Sequence, residues 1–212
     1  DLTENDLVFI TNGGCVENSS MGSQNMPATY NTELKPGGGW DMWRKIAAQD
    51  PAFGDVEFHM IGNLQKNKIN QVLGRASLIQ SISSATLAQA VSKRAEREGL
   101  RVPVLLECNV SGEQSKGGFS PDEVREAAEG LAALPGIRIE GVMSMAPAHD
   151  PAEARRTFSG ARELAGELRG RTGLALPVLS CGMSDDFEIA VEEGSTLVRL
   201  GRIVFSADYD LS

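Results

Sequence analysis

From residue 56 to residue 201 the chain alternates strand-like and helix-like segments, and this alternation limits the fold more than any other feature. The strand candidates are VEFHMI (56–61), SLIQSI (77–82), VPVLLECNV (102–110), IRIEGVM (137–143), LPVLSC (176–181) and TLVRLG (196–201), with DLVFIT (6–11) near the start. Most are runs of Val, Ile and Leu rather than strict polar–apolar alternations, the pattern of strands buried on both faces. Amphipathic helices separate them. Ser120-Pro121-Asp122-Glu123 reads as an N-cap, a proline at the first helical position and a capping-box Glu, and Asp150-Pro151-Ala152-Glu153 repeats the device. Val124, Ala127, Ala128 and Leu131 then share one helix face, as do Ala154, Phe158, Ala161, Ala165 and Leu168. A third helix is ATLAQAVSKRAERE (85–98), and Ser184 reads as the N-cap of DDFEIAVEE, which Gly194 ends. Such repetition implies a parallel sheet with helices outside it. Seven strand candidates, with room for one more in 12–55, favour a closed (β/α)8 TIM-type barrel over an open doubly wound sheet. No GxGxxG follows the first strand, which removes the usual dinucleotide signature.

The remaining composition narrows the function. A net charge of −9 argues against a general nucleic-acid binder and against a polybasic membrane surface. No apolar run reaches the length of a membrane span, and the start of the chain lacks the basic-then-apolar layout of a signal peptide. Cys15, Cys108 and Cys181 have neither disulfide-framework nor zinc spacing, and His59 and His149 lie far apart. A cytoplasmic protein without a structural metal is therefore expected. No Pro/Gly/Ser-rich linker divides the chain, so one domain over 1–212 is expected.

In a barrel of this kind, functional groups sit at the C-terminal ends of the strands, and a phosphate site frequently occupies the loops after the last two. Those loops hold Gly182-Met183-Ser184 and Arg199-Leu200-Gly201-Arg202. Ser184 at a helix start can offer a hydroxyl and nearby N–H groups to an anion, and Gly201 lets an anion approach its backbone. Each residue also has a plainer role. Gly182 and Gly201 suit tight turns, and Ser184 suits a simple cap. Arg199, inside an apolar strand, needs a partner, for which Glu188 or Glu192 is available. His59 suits a hydrogen-bonded core position.

Four stretches together, FHMIGNLQKNK (58–68), NVSGEQSKGGF (109–119), GVMSMAP (141–147) and GMSDDFEIAVEEGSTLVRLG (182–201), resemble the pyridoxal phosphate homeostasis proteins, a family related to the N-terminal barrel domain of alanine racemase. The resemblance implies a barrel that binds pyridoxal 5′-phosphate (PLP). Carried over by position, Ser184 and the backbone at Gly201 and Arg202 would hold the phosphate, with Gly182 and Met183 in the same loop. Arg199 would face the pyridine nitrogen and keep it unprotonated, since two cations at hydrogen-bond distance repel. His59 and Met60 would line the ring pocket. Lys116 would be a possible second amine, or a solvated loop lysine. No catalytic residue is implied.

Departures from the family pattern cluster near the start. The family joins PLP through a lysine at the end of its first strand; Asn12 stands at that position, and an amide cannot form a Schiff base. The helix before the first strand is missing, residues 1–55 match the family poorly, and 12–39 is a polar Gly/Ser/Asn-rich tract without a clear period. Arg202 replaces a hydroxyl residue. Three explanations stay open: an N-terminal sequence that is not the true one, a homologue that binds PLP non-covalently, or loss of the cofactor. The leading functional reading is a PLP-binding protein of intracellular vitamin B6 homeostasis without its own turnover. The alternatives are a PLP-dependent racemase-like enzyme and a homologue without covalent PLP. Transient contacts with PLP-dependent apo-enzymes and a monomeric state are expected.

Overall fold

A computed structural model describes residues 8–10, 57–113, 116–201 and 203. In chain order its elements are β1 (Val8–Ile10), β2 (His59–Met60), a 3-10 turn at Lys66–Lys68 running into α1 (Ile69–Val72), β3 (Leu78–Ile82), α2 (Ala85–Arg97), β4 (Val102–Glu107), α3 (Pro121–Ala132), β5 (Ile137–Met143), α4 (Pro151–Thr172), β6 (Val178–Ser180), α5 (Phe187–Glu192) and β7 (Val198–Leu200). Strands β2 to β6 lie side by side in sequence order, every pair parallel. Strand β1 pairs in parallel with β7, with Phe9 opposite Arg199. A single parallel bridge, Ser180 to Leu197, leads from β6 toward β7. The expected α/β alternation is present as a five-stranded parallel half-barrel and a parallel pair, which among the described residues is less than a complete eight-stranded ring.

The helix starts follow the local chemistry. The Ser120 hydroxyl accepts from Glu123 N at 3.2 Å while the Glu123 carboxylate accepts from Ser120 N at 2.8 Å, a complete capping box. Asp150 and Ser84 accept from Glu153 N and Leu87 N in the same way. Ser120→Ala should cost about 1 kcal/mol of stability, read from urea denaturation. At α5 the expectation fails. The helix begins at Phe187, with Asp186 rather than Ser184 at the cap position, and the Asp186 carboxylate turns back to accept from Met183 N at 2.6 Å. Ser184 is thereby left to other work.

Strands β2, β4, β6 and β7 are each shorter than their apolar runs. Beyond Glu107 the chain folds back, so that Phe119 N donates to Glu107 O and Asn109 N to Phe119 O, both at 2.8 Å. Strand β2 keeps only two residues of VEFHMI.

Apolar side chains form two cores, one on each face of the sheet. Ile79, Val104, Leu106 and Val142 pack on the helix side with Phe158, Leu164 and Leu168 of α4. Leu78, Leu105, Met143 and Leu197 form a smaller cluster on the other side. Successive residues of β4 therefore serve opposite cores, which is why its sequence is an unbroken apolar run. Close strand approach is enforced at Gly141, where an added Cβ would sit 1.7 Å from Val178 O of β6. On the outside, Arg155 pairs with Glu192 and Glu193, and Arg162 reaches the carbonyl and carboxylate of Glu193 at 2.9 Å each. Both arginines thus fasten the end of the short α5 to α4.

Candidate functional site

Paired residues in a parallel sheet point to the same face. Glu107, Met143 and Ser180 are paired in register across β4, β5 and β6. Met143 belongs to the inner cluster, so Glu107 and Ser180 face inward with it, at the C-terminal ends of their strands. His59 pairs with Leu78, another inner residue, and Gln80 follows Leu78 by two positions on the same face. The inner wall is thus apolar below and polar at the strand ends.

Arg199 joins this polar layer from β7. It is 5% exposed, and its guanidinium is fixed by three hydrogen bonds: Nη1 donates to Ser180 O at 2.9 Å and to Ser180 Oγ at 2.7 Å, and Nη2 donates to Ser144 O at 3.2 Å. A guanidinium has five N–H groups, so Nε–H and one Nη2–H have no acceptor among the described residues. Its partners are not the carboxylates expected: Glu192 pairs with Arg155 at the surface instead. Burial pulls the Arg199 guanidinium below its ordinary value, opposed by Cys181, Asp186 and Glu107. Burial likewise pushes the carboxyls of Glu107 and Asp186 up, against the pull of Arg199. One buried cation and two reluctant carboxylates share the site.

The polar layer continues from Arg199. Ser180 Oγ donates to Gln80 Oε1 at 2.6 Å, and Gln80 Nε2 lies 2.9 Å from His59 Nδ1. Gln80 is fully buried. The sequence reading passed over it, although a glutamine inside the apolar run SLIQSI was the available signal. Glu107, closing the run VPVLLE, was missed for the same reason.

Ser184 is buried beside this layer, where its hydroxyl collects the backbone N–H groups of Gly201 at 3.4 Å and Ile203 at 3.3 Å. The loops after β6 and β7 therefore converge on one oxygen, an arrangement that an anionic oxygen can share. Gly182 serves the turn: its φ is 92°, and a Cβ there would meet Ala190 Cβ at 2.6 Å. Its carbonyl accepts from Arg199 N at 3.0 Å. Met183 is an exposed side chain beside the turn rather than part of a wall. Met60 departs from expectation too: it packs against the helix-side core, because neighbouring strand residues point to opposite faces and His59 takes the inner one. The Lys116 backbone braces its own loop, its carbonyl accepting from Asn109 Nδ2 at 3.2 Å. Asn12 and Arg202 lie outside the described residues.

Cys181 and Cys108 are buried free thiols. Burial pushes Cys181 up to about 12 and raises Cys108 as well, so neither supplies a thiolate nucleophile at neutral pH. Among the described residues no cluster of His, Cys, Asp and Glu could hold a metal ion, and no helix is long and apolar enough to cross a membrane.

Comparison with known proteins places this geometry. The family model described as alanine racemase, N-terminal domain, matches residues 50–208. The pyridoxal phosphate homeostasis protein of Aquifex aeolicus is 42% identical over 152 residues, covering 71% of this chain and 67% of its own length. That of Escherichia coli is 37% identical, covering 73% and 66%. The chain thus spans about two thirds of the length of these curated relatives. A protein of Bifidobacterium adolescentis superposes with a TM-score of 0.68 at 40% identity, covering 71% of this chain and 61% of that one. PipY of Synechococcus elongatus, solved with PLP bound, superposes with a TM-score of 0.67 at 30% identity over 78% of each chain. Alanine racemase from Corynebacterium glutamicum, 20% identical with a TM-score of 0.60 over 78% of this chain and 48% of its own, shares the fold. A second family model, described as the MCRA family, matches residues 1–74, so that residues 1–49 are matched by it alone. That match gives the departures at Asn12 and in 12–39 an explanation absent from the sequence reading: this stretch resembles a different family.

Proposed function

Because this chain belongs to the pyridoxal phosphate homeostasis proteins, within the alanine racemase N-terminal-domain family, we propose that it binds PLP and serves intracellular PLP homeostasis without turnover of its own. The observation that carries the reading is the placement of Arg199 on β7 and of Ser184 in the loop after β6, both buried at one inward-facing polar layer. The residues present fit the group. Ser184 Oγ with the N–H groups of Gly201 and Ile203 suits a phosphate oxygen. The Arg199 N–H groups left over from its bonds to Ser180 and Ser144 suit a ring nitrogen that carries a lone pair. Bound PLP supplies an electrophilic aldehyde, and beside a cationic Arg199 its ring is a weak electron sink. What the chain's own residues do is bind and orient: Ser180 and Ser144 hold Arg199 still, and the apolar cluster of Leu78, Leu105, Met143 and Leu197 keeps water from beneath it.

Retention is non-covalent in this reading, since Asn12, which the resemblance sets where the family has its lysine, is an amide. The domain responsible is the barrel, completed to eight strands, acting in the cytoplasm as a monomer that hands PLP to apo-enzymes through weak contacts.

The test is a spectrophotometric titration with PLP, followed by borohydride reduction and peptide mapping. Saturable binding without a lysine adduct is expected, with inorganic phosphate competing. Ser184→Ala should weaken PLP about tenfold, the loss of one charge-assisted hydrogen bond. Absence of saturable binding sinks the reading, and an adduct on Lys116 replaces non-covalent retention with attachment at that loop.

A further inference from the structure

Strand β4 ends on a buried acid. Glu107 follows Leu105 of the inner cluster by two positions, so its side chain shares that face, and it is 8% exposed. Beyond it the chain closes against the strand end. An added Cβ at Gly118, whose φ is 109°, would lie 2.7 Å from Glu107 O, and one at Gly117 would lie 3.4 Å from Glu107 Oε1. Asn109 fastens this turn: Nδ2 donates to the carbonyls of Glu113 at 2.9 Å and Lys116 at 3.2 Å, and Oδ1 accepts from Gly112 N at 3.0 Å. The carboxyl is thus walled in on the loop side.

Its bonding capacity is unused. Neither carboxyl oxygen has a hydrogen-bond or ion-pair partner among the described residues, and Lys116 in the adjoining loop does not pair with it. Arg199 attracts it without touching it, and that pull opposes the effect of burial. Arg199 in turn keeps Nε–H and one Nη2–H without acceptors among the described residues. A buried anion and a buried cation are each costly unless paired. Held apart in one polar layer, these two suit a molecule that accepts from the guanidinium and donates to the carboxylate. On the PLP reading the acceptor is the ring nitrogen. The aldehyde of PLP has no proton to give, but the aminomethyl group of its amine counterpart does, and carries a positive charge.

We propose that Glu107 is a specificity residue that accepts from an amine on the bound ring, so that the site takes pyridoxamine 5′-phosphate as well as PLP and prefers the amine. This rests on the PLP reading above. With Asn12 where the resemblance sets the family's lysine, the first strand brings no amine of its own, and the carboxylate is left for the ligand's.

Ring phosphates that differ only at this substituent isolate the contact: pyridoxamine 5′-phosphate, pyridoxine 5′-phosphate with a neutral hydroxyl, and 4′-deoxypyridoxine 5′-phosphate with a methyl. By calorimetric titration the parent protein should bind the amine about tenfold more tightly than the methyl compound, with the alcohol between them. Glu107→Gln, which removes the charge and keeps the shape, should lose most of that preference and leave the methyl compound and inorganic phosphate unchanged. Equal affinity of the parent for the amine and the methyl compound overturns the proposal before any variant is made, so poor folding of Glu107→Gln does not shelter it. An alcohol bound as tightly as the amine overturns the charge pairing, and equal loss of every ligand in Glu107→Gln makes the residue structural. A parent that binds PLP without preferring the amine refutes this inference alone. One that binds none of the ring phosphates refutes the PLP reading, and this inference with it.

Discussion

Arg199→Ala is expected to lower PLP affinity about a hundredfold and to destabilise the fold by about 3 kcal/mol. Both effects have one source. The guanidinium satisfies the buried carbonyls of Ser144 and Ser180, and a buried acceptor left without its donor costs about 1–3 kcal/mol. Truncation also opens a cavity and leaves Glu107 and Asp186 without the cation that draws both carboxyls toward ionisation. Relief of the buried charge offsets part of this but not the whole, because the partners stay behind. Arg199→Lys separates the two effects. It keeps a cation near the ligand but cannot span both carbonyls, so affinity should fall less than stability predicts. Titration with PLP and thermal melting of the three proteins decide it; unchanged affinity in Arg199→Ala removes Arg199 from the site.

Gly141→Ala should be the most damaging small substitution in the sheet, at about 3 kcal/mol and about 10 °C in Tm. The added methyl would lie 1.7 Å from Val178 O and 2.6 Å from Val178 C, both backbone atoms. No rotamer relieves such a contact, so β5 and β6 must separate where Met143 and Ser180 are paired just beyond. Gly166→Ala is the matched control. It lies within α4 with nothing within 4 Å of its added Cβ, and should stabilise by about 0.5–1 kcal/mol. If both substitutions lower Tm alike, the close approach at Gly141 is not what limits the sheet.

The elements legible in the sequence are those whose signals are local. Ser120, Asp150 and their prolines announce helix starts because cap and partner lie within three residues. The apolar stripe from Ala154 to Leu168 needs only helical spacing. Ser184 shows where local reading stops. Ser184 and Asp186 both precede α5, and intrinsic preference cannot choose between them; the choice falls to Asp186 because its carboxylate closes on Met183 N, while Ser184 turns to Gly201 and Ile203 across the β7 loop. Arg199 was recognised as needing a partner, but carboxylates in the preceding helix were the natural guess. The carbonyls it uses belong to Ser180 at the end of β6 and Ser144 just past β5, 19 and 55 residues back in the chain. Gln80 and Glu107 stand out as polar residues within apolar runs, but what they do depends on residues brought alongside by the sheet.

The bond between Ser180 and Gln80 joins residues 100 apart in sequence. Nothing within a single βα unit can hold Arg199 or His59 in place, so the site does not exist in any fragment of the sheet. Closing so long a loop is an entropic cost met only when β3 through β6 have assembled in order. The binding mouth is therefore among the last features to form and among the first lost when the sheet opens. A ligand bound as proposed would bridge β4 and β7, and would brace the sheet rather than one loop.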